Sequence, residues 1–143
     1  MRKLLLSTMT AVALIGGTVL AAQGPALAAA GNCDQSHPYV GACVDYQGGA
    51  WVNADFYLNT APSITYAKYR VGMQINTNPV QWVSGSTLLK LDHTGRYTNP
   101  YWHINTDTLP DSSKQVRTLV EIWNSTGTTR TDHSESDKII VFN

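Results

Sequence analysis

The sequence predicts an all-β fold, a two-layer antiparallel sandwich of about seven short strands. The first observation behind this prediction is the segment Val116–Trp123, which alternates with period two and so places its β-branched side chains on one face. These side chains are Val116, Thr118, Val120 and Ile122. The second observation is that turn residues interrupt the apolar runs every ~8–15 residues. No window of about ten residues shows the three-and-four spacing of an amphipathic helix.

The N-terminus has the layout of a secretory leader. A basic start precedes the apolar stretch Leu4–Leu20, and small residues follow up to Ala30. This order predicts a signal peptide over residues 1–28, with cleavage after Ala28 or, alternatively, after Ala30. Hydroxyl and glycine residues interrupt the stretch, which is therefore a poor permanent span, since a span needs roughly 20 apolar residues. We expect a secreted, extracellular domain over residues 29–143, with no membrane span after cleavage.

The charge balance of the mature chain is nearly even. The sequence holds 10 basic and 10 acidic residues, and Arg2 and Lys3 leave with the predicted leader. Eight basic residues then face 10 acidic ones, a net charge of −2. A nucleic-acid-binding domain needs clustered Lys and Arg to displace counterions from phosphates. The sequence therefore predicts no nucleic-acid partner.

Both cysteines lie near the mature N-terminus, as Cys33 and Cys43. In an oxidising compartment two cysteines at this spacing are expected to join as a disulfide. His37 lies between them and could complete a ligand cluster, but zinc normally takes four ligands at closer spacings. We predict a disulfide, which in the chain-entropy model contributes on the order of 2–3 kcal/mol, and neither a metal nor a catalytic thiol.

The remaining elements follow in order along the chain. Residues 48–49 are a Gly-Gly break before the first strand, in which alternate residues from Val52 to Leu58 face inward. A loop is expected over Asp92–Pro100 and a polar turn over Thr128–Asp137, where Asp132-His133-Ser134-Glu135 would form a solvated tip. The predicted strands are Trp51–Leu58, Thr65–Ile75, a short hairpin of Gln81–Val83 with Thr87–Leu91, Tyr101–Ile104, Val116–Trp123 and Lys138–Phe142.

The C-terminal half also resembles a known family. The resemblance rests on the order of several short motifs: Ser84–Leu89, Tyr97, Tyr101-Trp102, Asn105–Asp111, Val116–Trp123 and Ser125–Gly127. In this order they are similar to bacterial immunoglobulin-like domains, over roughly residues 64–142. The resemblance implies an immunoglobulin-like β-sandwich of the kind often appended to secreted glycoside hydrolases and surface proteins. Gln74–Val80 and Thr128–Asp137 depart from it as an extra loop and a long turn, and we expect a free-standing chain.

Motifs of catalysis and metal binding are absent from the sequence. No His-x-His or His-Glu-x-x-His spacing aims two imidazoles at one metal. Asp92-His93 and Asp132–Glu135 hold acids and bases side by side, whereas a catalytic triad is assembled across space. No nucleophile elbow or P-loop occurs. We therefore expect no enzyme activity, no metal and no cofactor.

Aromatic residues are the most suggestive feature for function. The chain has four tryptophans and seven tyrosines. By strand alternation Trp51, Tyr57 and Trp123 project away from the core, and Trp82 lies beside a turn. Exposed aromatic clusters mark contact sites for sugars and proteins, although Trp102, and also Trp82, could fill the core. The predicted binding residues are Trp51, Tyr57, Trp82 and Trp123.

These observations lead to three hypotheses of function. The first is a secreted, non-catalytic module that binds a cell surface or a polysaccharide through exposed aromatic residues. The second is a small proteinaceous inhibitor of an extracellular protease or amylase, with Gln74–Val80 and Thr128–Asp137 as its exposed loops. The third, least supported by motifs, is a small enzyme that uses His93, His103 or His133. In the first two cases the partner is an extracellular protein or polysaccharide.

Overall fold

A computed structural model describes residues 32–46, 50–108 and 114–141. Within these ranges the chain contains strands and loops, and no helix. The strands are β1 (Asn32–Cys33), β2 (Val40–Asp45), β3 (Trp51–Leu58), β4 (Lys68–Ile75), β5 (Leu89–Lys90), β6 (Gly95–Asn105), β7 (Lys114–Trp123), β8 (Arg130–Glu135) and β9 (Ile139–Val141). The all-β prediction is confirmed.

The strands form two antiparallel sheets packed face to face. The first sheet has the order β1-β2-β3-β6, and the second has the order β5-β4-β7-β8, with β9 also pairing with β7. In immunoglobulin terms β2, β3 and β6 take the positions of strands A, B and E, and β4, β7 and β8 take those of C, F and G. The connectivity is therefore that of an immunoglobulin-like sandwich, as the sequence predicts.

The inward faces match the predicted alternation. In β7 the four residues from Val116 to Ile122 at alternate positions are fully buried, and in β3 the four from Val52 to Leu58 are at most 2% exposed. The inward side of β4, at alternate positions from Tyr69 to Ile75, is buried as well. These three faces form the core between the sheets because every second side chain of a strand points to the same side.

An aromatic cluster occupies the centre of the core. The ring of Phe56 stacks on Tyr97 at 4.6 Å and lies 5.0 Å from Tyr69. Trp102 is 4% exposed and packs edge-on against Tyr69 at 5.8 Å. Offset and edge-to-face pairs of this kind contribute about 0.5–1.5 kcal/mol each beyond burial. The expectation that Trp102 could fill the core is confirmed.

The predicted polar turn over Thr128–Asp137 is wrong, because Arg130–Glu135 forms strand β8 against β7. Its side chains are polar because β8 is an edge strand, yet Ser134 is buried. The hydroxyl of Ser134 accepts a hydrogen bond from the Ala42 amide and donates one to Asp34, both at 2.8 Å. Hydrogen bonds across the two sheets thus replace the apolar contacts that the prediction looked for.

The loop predicted over Asp92–Pro100 is also largely wrong. Strand β6 begins at Gly95 and continues to Asn105, with a register shift opposite Asn53 and Asp55. Pro100 lies within the irregular part of β6, where the four residues Asn99–Trp102 lie opposite the single residue Ala54 of β3, and an unpaired position tolerates a residue without an amide proton. Polar composition concealed the strand because β6 lies at the edge of the first sheet.

Three smaller boundaries differ from the prediction. The hairpin of Gln81–Val83 with Thr87–Leu91 is absent; instead Gln81 bridges to Met73, and β5 pairs with β4. Strand β2 is not among the predicted strands, because most of Val40–Asp45 lies inside the segment between Cys33 and Cys43. β4 starts at Lys68 rather than Thr65.

Several predicted features lie outside the described residues. These are the signal peptide with its cleavage site, the Gly-Gly break, the last three residues of the motif Asn105–Asp111, and Phe142 at the end of the last strand. Within the described ranges, no helix is long and apolar enough to span a membrane.

Candidate functional site

The disulfide between Cys33 and Cys43 is present and joins β1 to β2. It links neighbouring strands of the first sheet, whereas the immunoglobulin disulfide of antibody domains crosses between the sheets. Cys43 lies directly opposite Asp55 of β3. The bridge therefore holds the N-terminal segment beside the outer face of the first sheet.

The four predicted aromatic residues are divided between the two outer faces of the sandwich. Trp51 and Tyr57 lie on the outer face of β3 in the first sheet. Trp123 ends β7 in the second sheet, and Trp82 covers the backbone of Gly72 in β4. The structure thus places two of the four residues on the outer face of each sheet and does not bring all four together.

The pair on the second sheet is occupied by an internal cation. The Arg70 guanidinium lies 3.8 Å from the Trp82 ring centroid and 5.5 Å from that of Trp123. Its Nε donates to Glu121 at 2.5 Å, and Arg130 donates to the other carboxylate oxygen at 2.8 Å. Cation–π contacts of this kind stabilise a fold by about 0.5–2 kcal/mol. Trp82 and Trp123 are only partly exposed and pack against the protein itself.

The electrostatics of this cluster agree with a structural role. Burial by itself would raise the pKa of Glu121, but the hydrogen bonds from Arg70 and Arg130 outweigh it and hold the pKa below its usual value. A carboxylate that stays charged keeps both guanidinium groups in place. The second sheet therefore uses its tryptophans to cover its own outer face.

The outer face of the first sheet is organised differently, and we call it the β3 platform. It consists of outward-facing residues of β3 together with their neighbours on β2 and β6. The members are Asp45, Trp51, Asn53, Asp55, Tyr57, Arg96, Thr98 and His103. Trp51 and Tyr57 stand at its two ends, six positions apart on one strand, which corresponds to roughly 20 Å.

Trp51 is the most accessible tryptophan and is held in place by its neighbour. It is 47% exposed, and its ring lies 4.3 Å from the His103 ring in an edge-on arrangement. His103 is itself fixed, since its Nδ1 donates to the carbonyl of Pro100 at 2.7 Å. This hydrogen bond leaves the Nε2 of His103 as the acceptor in the neutral ring. The Trp51 ring is therefore oriented without being buried.

A polar pocket lies between the two aromatic residues. It has a volume of about 180 Å³ and is lined by Asp45, Asn53, Ala54, Asp55, Arg96, Thr98, Asn99 and Pro100. The Asp55 carboxylate is 6% exposed and forms an ion pair with Arg96, whose Nε donates at 2.6 Å. Burial raises the pKa of Asp55, and the Arg96 guanidinium opposes that effect. The pair offers fixed donors and an acceptor at the pocket floor.

Two raised segments border the β3 platform. On one side the disulfide-closed segment runs close to β2, where a Cβ on Gly41 would come within 2.6 Å of the Asp34 carbonyl oxygen. On the other side the β6 bulge carries Tyr101, which is 79% exposed. The Asn99 side chain accepts a hydrogen bond from the Tyr101 amide at 2.9 Å and so stiffens the bulge. The platform is thus a shallow trough rather than a flat sheet.

Sequence reasoning missed the polar half of this site. Asp55 and Arg96 were not singled out, because Arg96 lies in the segment taken for a loop. The outward position of Asp55 between Trp51 and Tyr57 was the one signal that pointed to it. Tyr101 was placed in a strand, but the Asn99-Pro100 pair that makes it protrude was not connected with it.

The arrangement combines aromatic faces, which pack on apolar ring surfaces, with amide, carboxylate and guanidinium groups, which hydrogen-bond to hydroxyls. Among the described residues no group of three or more His, Cys, Asp or Glu side chains lies close enough to hold a metal ion. Comparison with known proteins adds no assignment: no protein-family model, no curated protein and no solved structure matches this chain.

Proposed function

We propose that this chain is a secreted, non-catalytic module that binds a polysaccharide along the β3 platform. The observation that carries the proposal is the placement of Trp51 and Tyr57 on the same face of one strand, with a polar pocket between them. An extended chain of sugars presents apolar ring faces and hydroxyl groups in alternation. The platform offers aromatic side chains at its ends and hydrogen-bonding groups in the middle, in the matching order.

Two further observations support the proposal. The disulfide is a bond that persists in oxidising, extracellular environments, where polysaccharides are found. Trp51 already has its orientation fixed by His103, so binding would not have to immobilise it. Preorganised aromatic side chains bind with a smaller loss of conformational entropy. We propose secretion of the chain and a polysaccharide ligand together.

The inhibitor hypothesis depends on two exposed loops, and it now has less support. Of its two loops, Thr128–Asp137 contains strand β8 and is paired with β7. The loop after β4 is short and held by hydrogen bonds from Gln74 to the Asn78 carbonyl at 2.8 Å and from Met73 to the Gln81 carbonyl at 2.8 Å. We therefore keep inhibition of a secreted protease or amylase as an outcome of the test.

The test is retention of the purified secreted chain on insoluble chitin, cellulose and bacterial cell walls. We expect retention on at least one of them, and a loss of roughly tenfold in affinity for Trp51→Ala and for Tyr57→Ala, equivalent to ~1.4 kcal/mol. Tyr39→Ala is the matched control. Its ring has the same 47% exposure as Trp51 but lies against Tyr66 and His37, outside the platform.

The outcomes separate the hypotheses. If none of the three materials retains the chain, polysaccharide binding is wrong. If retention occurs but Trp51→Ala behaves like Tyr39→Ala, the ligand binds elsewhere and the platform is not the site. Inhibition of a secreted hydrolase by a chain that no polysaccharide retains would favour the inhibitor hypothesis instead.

A further inference from the structure

A second cleft opens between the sheets next to β6 and borders the β3 platform at Arg96 and Thr98. It has a volume of about 290 Å³ and lies between β5 and the first half of β6. Its floor is aromatic, formed by Tyr69, Tyr97 and Trp102, and its rim includes Lys90, Asp92 and His93. An aromatic floor with a few polar groups at the rim is the usual make-up of a small-molecule site.

One polar group in this cleft has no partner. Tyr69 is 6% exposed, and its hydroxyl forms no hydrogen bond with any described residue. Its neighbour Tyr97 shows the contrast, because its hydroxyl bonds the backbone of Asp92 and His93 in three places. Among the described residues the buried side-chain atoms without a partner lie elsewhere, so the Tyr69 hydroxyl is reached by solvent from the cleft. A ligand in the cleft would accept this hydrogen bond in place of water.

The Tyr69 hydroxyl would act as a donor. Burial, together with the nearby Tyr97 and Asp92, raises the pKa of Tyr69 to about 12. The phenol therefore stays protonated at neutral pH, and its O–H would donate a hydrogen bond to an oxygen of the ligand.

The rim favours an anionic oxygen. The Asp92 carboxylate is bound by His93 Nδ1 at 2.6 Å, and that hydrogen bond raises the pKa of His93. The His93 ring is stacked on Tyr97 at 4.1 Å, which fixes the pair. Lys90 has no ion-pair partner among the described residues. The Asp92 carboxylate is thus already hydrogen-bonded to His93, and the ammonium of Lys90 is left for a ligand.

From these contacts we infer that the cleft between β5 and β6 binds a small ring compound that carries a carboxylate. The ring would lie against Tyr69 and Trp102, since Tyr97 already stacks on Phe56 and His93, and the carboxylate would accept hydrogen bonds from the Tyr69 hydroxyl and the Lys90 ammonium. The cleft shares Arg96 and Thr98 with the β3 platform, but Trp51 and Tyr57 do not line it. Because polysaccharide binding is proposed to depend on those two aromatic residues, the two proposals can be tested separately.

The experiment is an NMR titration of the full secreted chain with benzoate, followed through the Leu89 methyl groups and the Trp102 indole. Benzyl alcohol serves as the matched probe, with the same ring and no charge. We expect saturable shifts with benzoate and roughly tenfold weaker binding of benzyl alcohol, since hydrogen bonds to charged groups are the stronger class. Tyr69→Phe and Lys90→Gln should each weaken benzoate binding several-fold.

Tyr69→Phe removes one oxygen and keeps the ring, so its spectrum should remain that of the folded protein. Absence of saturable shifts with benzoate would refute the site. Equal affinity for benzyl alcohol would refute the carboxylate class, and unchanged affinity in Tyr69→Phe would refute the role of the hydroxyl. Trp51→Ala should leave the benzoate titration unchanged, because Trp51 does not line the cleft.

Discussion

Two neighbouring core tyrosines, Tyr69 and Tyr97, differ in the hydrogen bonds of their hydroxyl groups, so the same substitution should affect stability differently at the two positions. The rings of Tyr69 and Tyr97 are 5.2 Å apart, and both are nearly buried. The Tyr97 hydroxyl accepts from the amides of Asp92 at 3.0 Å and His93 at 2.9 Å, and donates to the His93 carbonyl at 2.7 Å. The Tyr69 hydroxyl forms none of these bonds. The same change, Tyr to Phe, therefore removes three hydrogen bonds at one position and none at the other.

The expected magnitudes follow from the surroundings. A net hydrogen bond contributes ~0.5–1.5 kcal/mol to stability. Asp92 and His93 are exposed, so water can replace part of what is lost. We expect Tyr97→Phe to lower the free energy of unfolding by about 1–3 kcal/mol. Tyr69→Phe should change it by less than ~0.5 kcal/mol, because the Tyr69 hydroxyl bonds no described residue and gives up only a contact with solvent.

Urea unfolding of both variants, followed by tryptophan fluorescence, measures the difference. With a denaturant slope of about 1–3 kcal/mol per molar, the midpoint of Tyr97→Phe should fall by roughly 1 M relative to Tyr69→Phe. An unchanged slope would show that the unfolded states are comparable. If the two variants had equal midpoints, the Tyr97 hydroxyl would not hold the 92–93 turn against β6, and the reasoning would be wrong.

Three further changes should behave as follows. Replacing Cys33 and Cys43 together with serine should lower the free energy of unfolding by about 3 kcal/mol in the chain-entropy model, and dithiothreitol should lower the urea midpoint of the wild type but not of the variant. Folding lowers the pKa of Glu121 below its unfolded value of 4.5, so the ionised carboxylate stabilises the fold above that pH, and the stabilisation is lost as pH falls through the folded pKa. Glu121→Gln should therefore make the free energy of unfolding less dependent on pH in the acid range. Gly72→Ala should lower the free energy of unfolding by about 1–3 kcal/mol and shift the Trp82 fluorescence, because the new Cβ would come within 2.9 Å of that ring. Unchanged stability and fluorescence would contradict the packing of Trp82 on Gly72.

The apolar half of the fold was predictable from the sequence, because burial on one face imposes a period of two. Val116–Trp123 and Trp51–Leu58 were both placed correctly, and their inward residues are buried. The polar edge strands were not predictable in this way. In β8 the buried residue is Ser134, whose partners Asp34 and Ala42 lie about 90–100 positions away in sequence. Alternation of hydrophobicity cannot report a strand that is held by side-chain hydrogen bonds to the other sheet.

The candidate site was likewise predictable only in part. Alternation placed Trp51 and Tyr57 on an outer face, and the register shows that they share it. It also placed Trp123 outward, but gave no sign that Arg70 would lie between Trp123 and Trp82. That contact depends on the register of β4 against β7, where Arg70 faces Glu121. Long-range pairing decided which aromatic residues remain accessible, and a single sequence does not specify it.

The difference between the two outer faces bears directly on which of them can bind a ligand. A tryptophan ring attracts one cation or one apolar surface on each of its faces. On the second sheet Arg70 already occupies that position for Trp82, and the guanidinium is held there by Glu121. On the first sheet the contact to Trp51 comes from the edge-on ring of His103, and 47% of Trp51 stays exposed. Since a ligand must compete with whatever the ring already binds, the first sheet is the face on which a sugar can stack without displacing an internal contact.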